Sequence, residues 1–494
     1  MDAPTAPLPL GSASLHAVTR MPTPAYDRSR VVPGIVHVGV GGFARAHLAE
    51  YLDRLLAAGE TGWGICGVGT RPGDRGVADV LRAQDGLFTL VLKHPDGRLE
   101  ARVVGSLVAY LYAPDDPEAV LEQMAAPTTR IVSLTITEGG YLVDPQTRRF
   151  TPEAEPAVLL DLQPGAVPST VFGLVVEALA RRRARGLAPF TVLSCDNVQA
   201  NGEVARAAFA GFASLRDPEL GGWVREHVAF PSSMVDRITP VTTDEDRAGV
   251  ADRFGVADGW PVVCEPFQQW VLQDAFGLGR PPLEDVGVQL VEDVHPYELM
   301  KLRLLNAGHQ ALGHLGSLAG HRTTDAACAD PALAPFLLAY MEQEATPTLA
   351  PVPGIDLAGY RQTLLERFGN PHIRDTLARL CAESSDRIPT FLLPVVRAQR
   401  AAGGPVARSA LVVAAWALTA QGLDEQGAPL VVVDRLLETV RAAAERTHED
   451  PAAFLRDTGV FGDLADDPVF TAAFVEALAA LRRLGARASA SAAR

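Results

Sequence analysis

The stretch Gly34-Ile35-Val36-His37-Val38-Gly39-Val40-Gly41-Gly42-Phe43-Ala44-Arg45-Ala46-His47 decides the fold. Its first part, GIVHVGV over 34–40, reads as an apolar strand that runs straight into a G-x-G turn, Gly39-Val40-Gly41-Gly42, with Phe43 and then Ala44 at the third small position. Small residues there let the backbone approach a pyrophosphate, whose charge meets the amides at a helix N-terminus. A lone G-x-G is weak, because glycine serves any tight strand-to-helix turn. Its position strengthens it, since strand-like and helix-like patterns alternate outward from this point. A helix is expected over 44–58, a strand over 63–69 (WGICGVG), a helix over 74–84, a hairpin through FTLVLKHPDGRLEARVV, a strand over 130–136 (RIVSLTI), a helix over 167–185 and a strand over 190–195 (FTVLSC). Continuous apolar strands separated by helices predict an α/β domain with a parallel sheet covered on both faces.

From about residue 296 the strand signals stop. Helices are expected over 296–315, 331–348, 356–368, 371–382, 388–401, 405–421, 428–447 and 467–485, many bounded by Asp-Pro, Gly-Asn-Pro or Gly-Gly. The expected organisation is an N-terminal surface arm (1–30, rich in Pro, Ala and Ser), a dinucleotide-binding domain (31–290), a mostly α-helical substrate and catalytic domain (291–485) and a flexible tail (486–494).

The 494 residues carry a net charge of -15, which argues against nucleic acid or an anionic membrane as partner. The basic run Arg181–Arg185 fits a solvated helix end closed by Gly186. Five cysteines without a C-x-x-C pair suit a reducing cytoplasm and give no zinc spacing, and the eleven histidines offer no ligand pair. No metal is expected. No run reaches the ~18 apolar residues of a membrane span.

Only two of the 44 basic residues are lysines, Lys93 and Lys301. Arginine keeps its proton, whereas a buried lysine can lose one and act as a base. Lys93 adjoins a Pro-Asp-Gly turn and reads as a solvated strand end. Lys301 lies in the helical pattern HPYELMKLRLLNAGHQAL. On a regular helix, Glu298, His309 and Asn306 fall at about 60°, 80° and 140° from it, inside one broad arc. A second polar cluster, Cys195-Asp196-Asn197, ends a strand, where ligands bind in open parallel sheets. The acidic residue that usually reads the adenosine ribose is replaced at the end of the second strand by Thr70 and Arg71. Asp74 can reach the ribose from the following loop, and Arg71 and Arg75 are available for a 2′-phosphate.

The segments GIVHVGVGGFARAH, SLTITEGGY, CDNVQANG, SMVDRITP, CEPFQQWVLQD and KLRLLNAGH together resemble the polyol-specific long-chain dehydrogenase/reductase family, which contains mannitol 2-dehydrogenases and fructuronate and tagaturonate reductases. The resemblance implies a Rossmann-type N-terminal domain, a helical C-terminal domain, and metal-independent hydride transfer between NAD and a secondary alcohol of a linear polyol, with D-mannitol and D-fructose the expected pair and NADP a second option. It matches Lys301 to the general base, Asn197 and Asn306 to the amides holding the reacting oxygen, His309 to a substrate-orienting residue and Glu298 to a proton relay. Gly39, Gly41, Gly42, Phe43, Ala44, Asp74 and Thr137 are the expected cofactor-binding residues, and Asp236, Arg237 and Arg387 the expected lining of the substrate cleft. Around Arg387 some mannitol enzymes carry further His or Lys groups, where this chain has Thr390 and no lysine. The alternatives are a hexuronate reductase of the same family, with Arg237 and Arg387 facing a carboxylate, and a catalytically silent nucleotide-binding sensor. A monomer or small homo-oligomer with a small-molecule substrate, and with neither nucleic acid nor membrane as partner, is expected.

Overall fold

The structure, a computed structural model, describes residues 6–144 and 147–493. The chain divides between His295 and Pro296 into two compact units.

The first unit is built on five parallel strands: β1 (Pro33–Val38), β2 (Gly64–Gly69), β3 (Leu107–Tyr112), β4 (Ile131–Leu134) and β5 (Thr191–Ser194). Their order is β3-β2-β1-β4-β5. All residues of β2, β4 and β5 are buried, as strands covered on both faces must be, which explains their continuous apolar runs. The order reverses between β1 and β4, and the crevice beyond their carboxyl ends is where such sheets take a ligand. The expected hairpin forms from Phe88–Lys93 and Leu99–Val104, and Val262–Cys264 pairs parallel to its first strand. A third small sheet sets Gln269–Gln273 between Ser233–Asp236 and Gln289–Val291.

β3 is absent from the sequence reading because only Gly105 and Ser106 separate it from the hairpin, so the two apolar runs merge. From Leu8 onward the expected arm lies along the first unit and is anchored there. Leu8–Pro9 pairs with Val256–Ala257, and Leu10 and Met21 are buried against Leu87, Val91, Val103 and Val263. Arg28 ties the segment down by donating to the carbonyls of Gly105 and Leu107. Residues 1–5 of the expected arm lie outside the described residues.

Among its described residues the second unit contains helices and two isolated bridges. Its central helix, Ala307–Leu318, uses Gly313 and Gly316 for close approach. A Cβ at Gly313 would lie 2.7 Å from Cys381 Sγ, and one at Gly316 2.8 Å from Ala327 Cβ. The helix expected over 428–447 begins only at Leu437, because Pro429 and the β-branched Val431–Val433 run hold the segment extended. Of the helix expected over 371–382, only Leu377–Cys381 forms. The expected flexible tail is corrected too. The last helix, Pro468–Ala492, breaks at Gly485 (φ 80°, ψ 172°) and restarts where Glu425 accepts the Ala486 N–H. It then buries Ala486, Ser489 and Ala490, and Arg487 bonds Asp330 at 2.6 Å. Arg494 lies outside the described residues.

Candidate active site

In the first unit the turn after β1 is shaped by a residue that must be glycine. Gly39 has φ +92°, and a Cβ there would stand 2.1 Å from the Thr135 carbonyl oxygen beyond β4. The Gly41 N–H donates to Gly39 O at 2.7 Å, and two helices follow, Gly42–Ala46 and Leu48–Ala57, with His47 between them. Ala44, Arg45 and His47 are buried. Arg45 donates to Trp260 O, His47 Nε2 lies 3.0 Å from Gln269 O, and His47 stacks with Phe43 at 4.9 Å between ring centres. Arg45 and His47 thus hold the first turn of the helix onto the strands behind it.

Buried His37 locks this turn to β4. The Thr135 hydroxyl donates to Gly39 O at 2.6 Å, so it accepts from His37 Nε2–H at 3.0 Å, leaving His37 Nδ1 to accept from the Ser133 hydroxyl at 2.8 Å. Burial pulls His37 down to about 4, which fixes it as this neutral tautomer. Beyond Thr135, the Ile136 and Thr137 N–H groups donate to the buried Asp196 carboxylate at 3.0 and 2.9 Å. The Tyr141 hydroxyl donates to the same carboxylate at 2.7 Å, and burial raises both groups. Thr137 is thereby held at φ +70°, a conformation that costs a non-glycine residue roughly 1–3 kcal/mol.

Asp74 stands just beyond β2. Its Oδ2 accepts the N–H groups of Thr70 and Arg71, each at 2.9 Å. Arg75 turns away, gripping Asp115 through both terminal nitrogens and lying over the Tyr112 ring at 4.4 Å. Asn197 is exposed in the turn after β5. Asn201 pins that turn, donating to Asp196 O at 3.1 Å and Ser233 O at 2.8 Å.

In the second unit, Glu298, Lys301, Asn306 and His309 lie on three consecutive helical segments, His295–Met300, a π-turn over Lys301–Asn306, and Ala307–Leu318. The regular wheel needs correction here. An i→i+5 turn holds more residues than an α-turn, so Asn306 comes closer to the side of Lys301 than the expected 140°, and His309 rotates back with it. Glu298 and Lys301 are each 6 % exposed. Asn306 Oδ1 is buried with no hydrogen-bond partner among the described residues, and the His309 ring lies 4.5 Å from Phe368. Two further π-turns, Met341–Ala345 and Ile388–Leu392, pack against the first. Tyr340 donates to the Arg303 carbonyl at 3.2 Å, and buried Glu344 accepts the Arg408 and Ser409 N–H groups, capping helix Ala407–Thr419.

Residues 33–285 match the mannitol dehydrogenase Rossmann domain and residues 293–482 the mannitol dehydrogenase C-terminal domain. The chain belongs to the mannitol dehydrogenase family. Mannitol 2-dehydrogenase of Phaeosphaeria nodorum is 45 % identical over 489 residues, covering 98 % of this chain and 85 % of that protein. The ternary complex of Pseudomonas fluorescens mannitol 2-dehydrogenase with NAD and D-mannitol superposes with a TM-score of 0.89 at 43 % identity, covering 98 % of this chain and 99 % of that one. A substrate-free D-sorbitol dehydrogenase gives 0.88 at 38 % identity, over 98 % and 100 % of the two chains.

Within this mannitol dehydrogenase family member, three expected cleft residues have particular surroundings. Asp236 is buried at the end of Ser233–Asp236. Arg237 is buried as well, its guanidinium donating to Glu50, to Ala46 O at 2.5 Å, to Glu265 O at 3.0 Å and to Gln268 at 3.1 Å. Its Nε and Nη1 are thereby engaged within the first unit, and its Nη2 makes no hydrogen bond among the described residues. Arg387 is half-buried and donates to the carbonyls of Arg379 and Leu380 at 2.9 and 3.0 Å. His37, Thr135, Asp196 and Tyr141 escaped the sequence reading as turn-holding residues. Only Asp196 had a signal, its place beside Asn197.

Proposed function

We propose that this chain is an NAD-dependent mannitol 2-dehydrogenase that interconverts D-mannitol and D-fructose without metal. The observation that carries the reading is the end-to-end likeness to the Pseudomonas fluorescens enzyme, whose complex holds NAD and D-mannitol. The chain's own residues fit the cofactor. Gly39, at φ +92° and packed against the Thr135 backbone, shapes the tight turn after β1 that a pyrophosphate needs, and Asp74 offers a carboxylate beyond β2 while Arg75, one of the two arginines available for a 2′-phosphate, is engaged by Asp115. NAD, when bound, supplies the hydride acceptor.

Lys301, in its neutral form, takes the proton of the reacting hydroxyl, and in the reverse direction its ammonium returns it. Asn306 steadies the developing alkoxide through its amide N–H, the kind of preorganised donor often worth a few kcal/mol in a transition state. Its buried, partnerless oxygen marks an amide whose hydrogen bonding is left for a ligand, since an unsatisfied buried polar atom costs about 1–3 kcal/mol. The motif resemblance gives Asn197 the same amide role, His309 the orientation of the substrate and Glu298 the passage of the proton from Lys301 toward water.

The D-sorbitol dehydrogenase likeness keeps a second polyol in view. The deciding experiment measures kcat/KM for D-mannitol, D-sorbitol, D-fructose and D-fructuronate with both cofactors. Highest values for D-mannitol and D-fructose with NAD(H) are expected. A preference for D-sorbitol or D-fructuronate would reassign the substrate, and no turnover with any pair would leave a silent nucleotide-binding protein.

A further inference from the structure

A cleft of about 550 Å³ opens on the first unit between Arg148–Phe150, beside the isolated bridge of Val143 with Phe150, and the helices Asn201–Arg216 and Pro218–His227. That volume lies within the range of small-molecule sites, ~300–1,000 Å³. Its floor is apolar, formed by Phe150, Ala207, Ala210 and Gly211. Phe150 sits so close on Gly211 that a Cβ there would lie 2.7 Å from it.

The rim is cationic. Arg148, Arg149, Arg206 and Arg225 all line the cleft, and none forms an ion pair among the described residues, although Glu203 stands on the same rim. The basic run obvious in the sequence behaves oppositely. Arg181 and Arg185 are neutralised by Glu118, Glu122 and Glu177, and the nearby Arg216 by Glu177. Arg225 donates to Ser214 Oγ at 2.7 Å, and Arg206 donates to the Arg225 carbonyl at 3.3 Å and lies over the Phe230 ring, so both guanidinium groups are held by neutral partners. Arg148 adopts φ +56°, a left-handed conformation unusual for arginine. On a chain of net charge -15, four arginines from three separate segments against the single carboxylate of Glu203 make a local reversal of field, and their repulsion falls when an anion enters.

We propose that this cleft binds a small phosphorylated molecule bearing at least two negative charges. Arginine forks match phosphate oxygens in pairs, and the apolar floor accepts a carbon skeleton. The cleft shares no residue with the Gly39 turn or Asp74.

The test is calorimetric titration of the full chain, saturated with NAD, with inorganic pyrophosphate and with fructose 1,6-bisphosphate at low ionic strength. One saturable site per chain is expected, weakened tenfold or more by the Arg206→Ala/Arg225→Ala double substitution and, on the opposite wall, by Arg149→Glu. Melting curves establish that each variant is folded, and Arg149→Glu serves if the double variant is not. Tighter binding of the bisphosphate assigns the site to a phosphorylated sugar, and equal binding assigns it to phosphate alone. Absence of saturable heat with either probe, or affinities within twofold of the parent in folded variants, overturns the proposal.

Discussion

At the scale of single residues, the proposed chemistry rests on one of two lysines in a chain whose other basic residues are arginine. Lys301→Ala should lower kcat by several orders of magnitude with NAD affinity little changed. Lys301→Arg should fail as badly, since its charge is right and its proton is fixed. Stopped-flow or steady-state turnover near the parent value in the arginine variant would remove Lys301 as the base. Lys301 was legible because composition isolates it. The commitment of Arg75 to Asp115 was not, because those residues are 40 positions apart and meet only in the fold. Asp74 has two tasks, holding the Thr70 and Arg71 amides and presenting a charge beyond β2. Asp74→Asn separates them, since an amide oxygen still accepts from the backbone while the charge that repels a 2′-phosphate is gone. The ratio of kcat/KM for NAD over NADP should fall roughly tenfold. An unchanged ratio would mean that another residue reads the ribose.

At the scale of elements, the strand-to-helix turn was legible and the π-turn was not. Strand, glycine and helix follow one another in sequence, so local spacing carries the turn. A helical wheel assumes one hydrogen-bond register throughout, and Lys301–Asn306 departs from it under packing by two other π-turns that no local pattern announces. The loop after β4 is a further case, because its strained Thr137 depends on a carboxylate contributed by the turn after β5. Asp196→Asn replaces one acceptor by a donor facing the Ile136 N–H, the Thr137 N–H or the Tyr141 hydroxyl. An unmade buried hydrogen bond of about 1–3 kcal/mol predicts KM for NAD raised about tenfold or more, with kcat less affected. A lowered melting temperature with unaltered KM would restrict Asp196 to a structural role.

At the scale of the whole molecule, each unit buries a neutral imidazole. Burial holds His37 at about 4 and His314, bonded to Thr419 and Ser384, at about 3. Both lie below the unfolded value of ~6.5, so the unfolded chain binds more protons, and the stability present above pH ~6.5 is lost as pH falls toward these values. For His37 the loss is on the order of 3 kcal/mol by pH 4. Urea midpoints should therefore drop between pH 6.5 and 4, and His314→Gln should flatten that slope for the second unit. A slope unchanged in the variant would refute the assignment. The two-part architecture was legible from the change of periodicity near residue 296, whereas the docking of the two ends was not, because alanine-rich and proline-rich segments bury surface only against partners distant in sequence. The scarcity of lysine has a practical side as well. The side chain of Lys93 is 19 % exposed and closed by a 2.6 Å ion pair with Asp246, and Lys301 is buried. An amine-selective acylating reagent thus finds few side-chain targets on this chain, and peptide-mapping mass spectrometry should show inactivation tracking acylation of Lys301 and not of Lys93 or the α-amine, slowed by NAD with D-mannitol. Coupling to a solid support through lysine side chains would be equally unproductive, which favours guanidinium-directed or carboxylate-directed linkers for immobilising it.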